Sequence, residues 1–583
     1  MLDNVWLLLC AGLVFLMQAG FMCLESGLTR AKNNINVAVK NLADFGVSVL
    51  LFWMFGYALM FGLTQQGWLG TSEFFPAFED RPDRAVFFLF QGMFCGTATT
   101  IISGAVAERL TFRSYLAIAA LVSGLIYPLF GHWAWNGLIN ESSGGWLSNL
   151  GFADFAGSTV VHSTGAWVSL AALRIVGARQ GRFSEDGKAH KIQGSNMLFS
   201  VLGAFLLWFG WIGFNGGSAL ALTDEVPGIV VNTILSGVAG LVMAAVLSEL
   251  QYGLVEVELL INGSLAGLVA ITACCNAVST GLALVVGATG AAVALLLEYW
   301  LTRWRIDDAV GAVAVHGGGG VWGTLCVALF GNLSLLDTGL GRMEQLLVQL
   351  LGIGVCALWS FGLSSCLLLG LNQVLPLRVS AREESMGLNV SEHRAKTDTY
   401  ELFQVMDQQA RTQDLSLRVP IEPFTEIGHI ATRYNQVMAN LENQHQQQVD
   451  DLEQIYYLAA IASAAVETNT FQAADLDLDE LLERHDELGT LARVLQQLIQ
   501  TIETRDRALD LLWQRLNSLD TTAKVDTLVQ FLKIRFRSVP PALEATLTQL
   551  DDNQLQQFWQ LAISAQDLAA VQAASQTAAK QIP

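Results

Sequence analysis

Two histidines stand in apolar, glycine-rich text where an ionisable side chain is costly: His162 in DFAGSTVVHSTGAW and His316 in DDAVGAVAVHGGGGVWG. A neutral imidazole donates from one nitrogen and accepts at the other. A linked pair can therefore pass a proton or hold a small polar molecule without burying a full charge. The alternative for each is a core histidine satisfied by hydrogen bonds. Their position in separate halves of the apolar region, each flanked by glycines, points instead to a shared site on the path of a small permeating molecule. Asp154 opens the segment that carries His162. A carboxylate there caps free N–H groups and meets the positive end of the helix dipole, and attraction of cations is the second reading. Aromatic residues gather at three places: Phe90 and Phe94 in FQGMFCG, Trp133 and Trp135 in GHWAWNG, Trp211 and Phe214 in WIGFNGGS. Interfacial belts use the same residue types. The functional reading is cation–π recognition, worth ~2 kcal/mol when desolvated, with Ser218 nearby to accept a hydrogen bond from an N–H donor.

The elements that hold these residues follow from composition. Hydrophobic residues make up 52% of the chain and charged residues 14%, the balance of a membrane protein rather than a soluble one. Apolar stretches long enough to cross a ~30 Å hydrocarbon layer lie near 5–25, 43–63, 86–106, 114–134, 157–177, 195–215, 228–248, 258–277, 280–300, 310–331 and 346–371. These predict eleven transmembrane helices. The first is expected to be retained, because Asp3 stands where a signal peptide carries positive charge and no A-x-A cleavage pattern follows. Alternate connections carry Arg30, Lys32, Lys40, Arg109, Arg113, Arg179, Arg182, Lys188, Lys191, Arg303 and Arg305, the others only Arg81, Arg84 and Arg342. The positive-inside rule then places the N-terminus outside and the C-terminus in the cytoplasm. The eight cysteines lie in apolar runs without metal-like spacing, so they read as packing residues; no disulfide framework, metal site or cofactor is expected. Neither a P-loop nor a GxGxxG following a strand occurs, which argues against an ATP-driven pump.

Taken together, DFAGSTVVHSTGAW, GWIGFNGGSAL, INGSLAGLVAIT, DDAVGAVAVHGGGGVWG and RVSAREESMGLNVSEH resemble the ammonium transporter (Amt/Mep/Rh) family, in order, over residues 1 to about 400. The resemblance implies an all-α polytopic fold of eleven helices in two inverted pseudo-repeats, assembled as a homotrimer with one pore per subunit. It implies His162 and His316 as the twin histidines of the conduction path, with Phe94 and Phe214 as a stacked phenyl gate. Phe90, Trp135 rather than Trp133, and Ser218 would recruit ammonium outside, while Trp211 and Asp154 support the pore. The segment between Trp135 and Asp154 is longer than in compact bacterial members. Ammonium would lose a proton because the apolar pore disfavours a charge, and ammonia would pass the histidines with net electrogenic transport. The protein would be no enzyme, lie in the inner or plasma membrane, and accept a PII-type regulator or another signalling partner on its cytoplasmic side. A Rh-like conduit for ammonia or carbon dioxide fits less well, because the Trp, Phe and Ser set matches the ammonium branch.

The expected organisation is a membrane domain over 1–378 and a family-like cytoplasmic terminus over 379–400. Beyond it, residues 397–583 hold 27 of the 52 acidic residues and 13 of the 32 basic ones, so most of the net charge of −20 sits there. That charge disfavours nucleic acid and anionic lipid as partners. DLSLRVPIEPFTEIGHIATRYNQVMANLE resembles a HAMP relay module, assigned to 401–445, with Leu417 and Val419 in the connector, Glu426, Ile427 and Gly428 at the second helix start, and Asn435 and Met438 within that helix. A signalling-helix or coiled-coil region over 446–520 and a small helical module over 521–583 follow, the latter without an evident task. No catalytic output module accompanies them. Two functions remain open at this point: ammonium transport with a regulatory tail, or ammonium sensing relayed through that tail.

Overall fold

The computed structural model of the chain describes all residues other than 139–143, 396–397, 422, 424, 469–477 and 580–583. Two compact units, Met1–Glu401 and Leu402–Pro583, divide it. In the first, ten helices among the described residues are long and apolar enough to cross a membrane: α1 Leu2–Leu28, α2 Asn34–Phe61, α3 Pro82–Ala105, α4 Phe112–Trp135, α5 Ser158–Val176, α6 Met197–Gly217, α7 Val226–Tyr252, α9 Thr280–Arg303, α10 Val313–Phe330 and α11 Arg342–Val374. Each overlaps an expected span. Apolar side chains such as Leu250 and Leu358, both 78% exposed, cover the outer faces. A surface of that kind is stable against lipid tails, not water.

The eleventh expected span, 258–277, is only partly helical. α8, Val257–Ile271, has 15 residues and so extends about 22 Å at 1.5 Å per residue, short of a full crossing. The chain turns over 272–278 because neighbouring elements take its carbonyls. Phe155 and Ala156 donate backbone N–H to Ala273 O and Thr272 O, and Asn232 Nδ2 donates to Cys275 O and Val278 O at 2.9 and 3.0 Å. Non-helical backbone survives at such depth only when buried in protein like this.

Small residues bring helices together where no hydrophobic force separates protein from lipid. A Cβ added at Gly203 of α6 would stand 2.4 Å from Leu24 N of α1, so only glycine permits that approach. Seven of the eight cysteines are buried and none is bonded; Cys366 departs from the packing expectation and is exposed. Lys40, expected in a connection, is instead fully buried inside α2, where its Nζ donates to Leu110 O at 2.8 Å. The run that follows it is apolar enough that the helix simply starts earlier, at Asn34.

One end of the bundle is tied by charge. Asp307, between α9 and α10, accepts from Arg179 Nε and Nη2 at 2.8 and 2.9 Å, and its backbone carbonyl accepts from Arg109. Glu108 pairs with Arg30 and lies 3.6 Å from Arg179. Burial alone would raise the Asp307 carboxyl, but the hydrogen bonds from Arg179 and the charges of Arg109 and Arg179 outweigh it and hold it well below the usual carboxylate range. The segment after α11 is fastened to the same end. Ser380 and Glu383 form a capping box at the start of the helix Ala381–Met386. Glu384 accepts from Arg378 Nη2 at 2.7 Å and from Gln180 N at 2.6 Å, and Asn389 accepts from Asn36 N at 3.0 Å.

In the second unit, the helix that ends at Thr412 and the long helix Glu426–Thr468 flank a connector. Leu402, Val419 and Ala431 form a small core between them. Asn435 clamps Val419 by both its N–H and its carbonyl, each at 2.9 Å. The long helix passes through the expected boundary at 445 without a break. It packs on Glu487–Asn517 through Leu458, Ile461, Leu488, Leu495 and Ile499. That second helix starts at Asp486, whose carboxylate caps Gly489 N at 3.1 Å. The helices Thr521–Phe536, Pro541–Leu547, Asp552–Ser564 and Leu568–Ala579 enclose a separate core around Leu532, Leu547, Phe558 and Trp559.

Candidate functional site

The start of α5 is built on Asp154. Its Oδ1 accepts from the N–H groups of Gly157 and Ser158 at 3.0 and 2.9 Å, and its Oδ2 from those of Thr159 and Val160, both at 2.8 Å. The capping role expected for Asp154 is thus carried by four backbone donors. Gly157, at φ 113°, makes the turn that allows them to converge. A π-helical turn over Ser158–Ser163 follows and contains His162. α10 repeats the device. Asp308 accepts from Val310, Gly311 and Val313 N–H at 3.4, 3.1 and 2.6 Å; Gly311 lies at φ 78°; and the π-helical turn Val313–Gly318 contains His316. Single-turn π-bulges of this sort rotate side chains that a regular helix would aim elsewhere.

The two histidines meet. Their Nδ1 atoms are 3.2 Å apart and their rings lie 5.2 Å apart at 20°. Both are buried, at 0% and 3% exposure. For that bond to exist, one Nδ1 carries a proton and the other does not. His162 Nε2 is buried and has no hydrogen-bond partner among the described residues.

The aromatic residues stack to one side of this pair. Phe214 lies 5.4 Å from His162 and Phe94 lies 3.9 Å from Phe214 at 14°, nearly face to face. Phe90 packs 4.6 Å from Phe94, and Trp135 lies edge-on to Phe94 at 6.3 Å with its Nε1 donating to Asp154 O at 2.7 Å. Trp133 faces another way, against Trp68, Trp146 and Trp359. Trp211 stacks 5.2 Å from His162 and donates to Thr272 Oγ1 at 2.9 Å. Ser218 sits one turn beyond Phe214 and donates its hydroxyl proton to Phe214 O at 2.8 Å, so its oxygen remains an acceptor. All the singled-out residues from α3 to α10 except Trp133 therefore gather in one column.

Two functional candidates escaped the reading from sequence. Asp308 had a signal: D-x2-G-x4-H occurs at 154–162 and again at 308–316. Glu25, a carboxylate inside the first apolar helix and only 1% exposed, was visible as a lone charge in CLESG.

A polytopic bundle of apolar helices is the architecture of a membrane protein, and the interior of this one holds a histidine pair beside stacked aromatic rings. The model of the Ammonium Transporter Family matches residues 5–398, and the chain belongs to that family. It is 64% identical over 519 residues to sll0537 of Synechocystis sp., whose name carries a provisional assignment as an ammonium transporter; the match covers 88% of this chain and 96% of that one, and so reaches beyond residue 398. It is 42% identical to the ammonium transporter Amt2 of Archaeoglobus fulgidus, over 67% of this chain and 87% of that one. Among solved structures it is similar to a "Sensor Amt Protein" (42% identity, TM-score 0.65, 67% of this chain and 98% of that chain) and to Mep2 of Saccharomyces cerevisiae (27% identity, TM-score 0.59, 66% and 88%).

Proposed function

We propose that the chain conducts ammonia derived from ammonium through the column lined by His162 and His316. Ammonium is recruited by Phe90, Trp135 and the Ser218 oxygen, held by cation–π attraction of ~2 kcal/mol in a desolvated site. It loses its proton because the apolar path penalises a charge, and the neutral molecule passes Phe94 and Phe214 to the imidazoles. The proton travels separately through the imidazole pair, giving net electrogenic transport. The observation that carries this reading is the 3.2 Å Nδ1···Nδ1 contact directly beneath the stacked phenyl rings. The unpartnered His162 Nε2 supports it, since it is an open hydrogen-bonding position for a polar guest.

The reading includes eleven crossings with α8 counted as the short one, two inverted repeats, and a homotrimer with one pore per subunit. It places the N-terminus outside a plasma or inner membrane and the aromatic cluster on that side. The 401–445 segment acts as a HAMP-like relay that couples transport to a regulator, of PII type or specific to the tail. Its support is the helix–connector–helix geometry around Val419 and Asn435. Pure sensing without conduction is the weaker reading, because a sensor has no need of a linked imidazole pair. Ammonium-induced currents in proteoliposomes, recorded for the full chain and for a version ending at Tyr400, test the choice. Current in the full chain is expected; its absence in both means the membrane part only senses.

A further inference from the structure

Glu25 is a buried carboxylate in the last turn of α1, and the proposed conduction mechanism gives it no task. A charge at such depth costs several kcal/mol unless it is paired or used. Its Oε2 accepts from Asn41 Nδ2 at 2.9 Å and from Ser103 Oγ at 2.7 Å. These belong to a polar chain: Thr100 Oγ1 donates to Asn41 Oδ1 at 2.8 Å, Gln18 Nε2 bridges Thr100 and Asp44, and Tyr115 OH donates to Asp44. Lys40 and Asp44 are the charged groups facing Glu25 from α2, and Lys40 spends its ammonium on Leu110 O rather than on the carboxylate.

What makes the position more than a brace is its outlook. Glu25 shares a cavity with His316, walled also by Phe21, Ile101, Asn262 and Val310, on the side of the histidines away from Phe94 and Phe214. Among the wall residues, Glu25 and His316 are the two that can exchange a proton. Gly104 leaves the other carboxylate oxygen room, since a Cβ there would stand 2.9 Å from Glu25 Oε1.

We propose that Glu25 is a proton-transfer residue at the exit of the path, the group that returns a proton to ammonia after it has passed the histidines. The inference rests on the conduction reading above. In the step, the O–H bond of the protonated carboxyl breaks and an N–H bond forms on the ammonia lone pair, giving ammonium and a carboxylate. The carboxylate then accepts the proton relayed through His162 and His316. Each cycle moves one ammonia and one proton, and the ion released carries the transported charge. Asn41 and Ser103 stabilise the carboxylate between transfers by donating to it.

Glu25→Gln keeps the shape and the hydrogen-bond acceptor but cannot exchange a proton. In proteoliposomes it is expected to lower the ammonium-induced current roughly tenfold or more, the low end of what a positioned acid–base group contributes, while Glu25→Asp restores a sizeable part. Wild-type current in Glu25→Gln, or equal loss in both variants, overturns the proposal. Infrared difference spectra on adding ammonium supply a second measurement: a carboxyl band should change in the wild-type chain and be missing in Glu25→Gln, and a silent carboxyl region in the wild-type chain overturns the assignment. Should the wild-type chain carry no current, the conduction reading fails by itself. The infrared result then still decides whether Glu25 exchanges a proton with the ligand.

Discussion

The two histidine-bearing segments share one backbone plan and differ in everything around it. In both, an aspartate gathers N–H groups, a glycine at positive φ closes the turn, and a π-helical turn presents the histidine eight residues on. Asp154 is buried and capped by four donors, with Trp135 against its carbonyl. Asp308 is half-buried, has three donors, and follows Asp307 in the cage of Arg109 and Arg179. One end of the path is thus finished with aromatic faces, the other with ion pairs and carboxylates. A single device positions both imidazoles, and the residues around it differ in kind; under the proposed conduction the first end suits a cation losing its water, the second a proton on its way out.

Removing the caps measures how deep that difference runs. Asp154→Ala leaves four buried N–H groups without partners, each worth about 1–3 kcal/mol, so the expected loss is ~5 kcal/mol or more and little folded protein on size-exclusion of detergent extracts. Normal yield would mean the cap is dispensable. Asp307→Asn removes the carboxylate charge that Arg179 meets at 2.8 Å and Arg109 at 3.9 Å and should cost about 3–5 kcal/mol, seen as a lower unfolding midpoint in detergent. Asp308→Ala is expected to cost only ~1–2 kcal/mol, since it frees three donors rather than four and two of them are held loosely, at 3.4 and 3.1 Å; a loss equal to that of Asp154→Ala would erase the distinction between the ends. The smallest effect is in pH. Because the folded Asp307 carboxyl lies below its unfolded value of about 3.9, its contribution is complete above that value and fades only as pH falls further. The melting midpoint should therefore gain from Asp307 throughout the neutral range and lose that gain below about pH 4, a decline absent in Asp307→Asn.

Spans were legible because twenty apolar residues in a row have one stable destination. α8 was the exception: its apolar text could not reveal that Asn232, Phe155 and Ala156 would claim the carbonyls of 272–278. Lys40 misled for a related reason, since a lysine in text reads as a connection until a carbonyl such as Leu110 O is seen to hold it inside. The histidines and phenylalanines stood out by cost and by motif, yet their stacking depends on two π-helical turns that no periodicity announces. Glu25 was overshadowed by the apolar helix around it; only the cavity it shares with His316 gives it meaning.

The central claim is that ammonium-derived charge crosses through the linked imidazoles. It is tested most directly by ammonium-induced currents in proteoliposomes for the full chain, His162→Leu and His316→Leu. Current in the full chain that falls to the level of empty vesicles in both variants is the predicted result. Undiminished currents in either variant would contradict it.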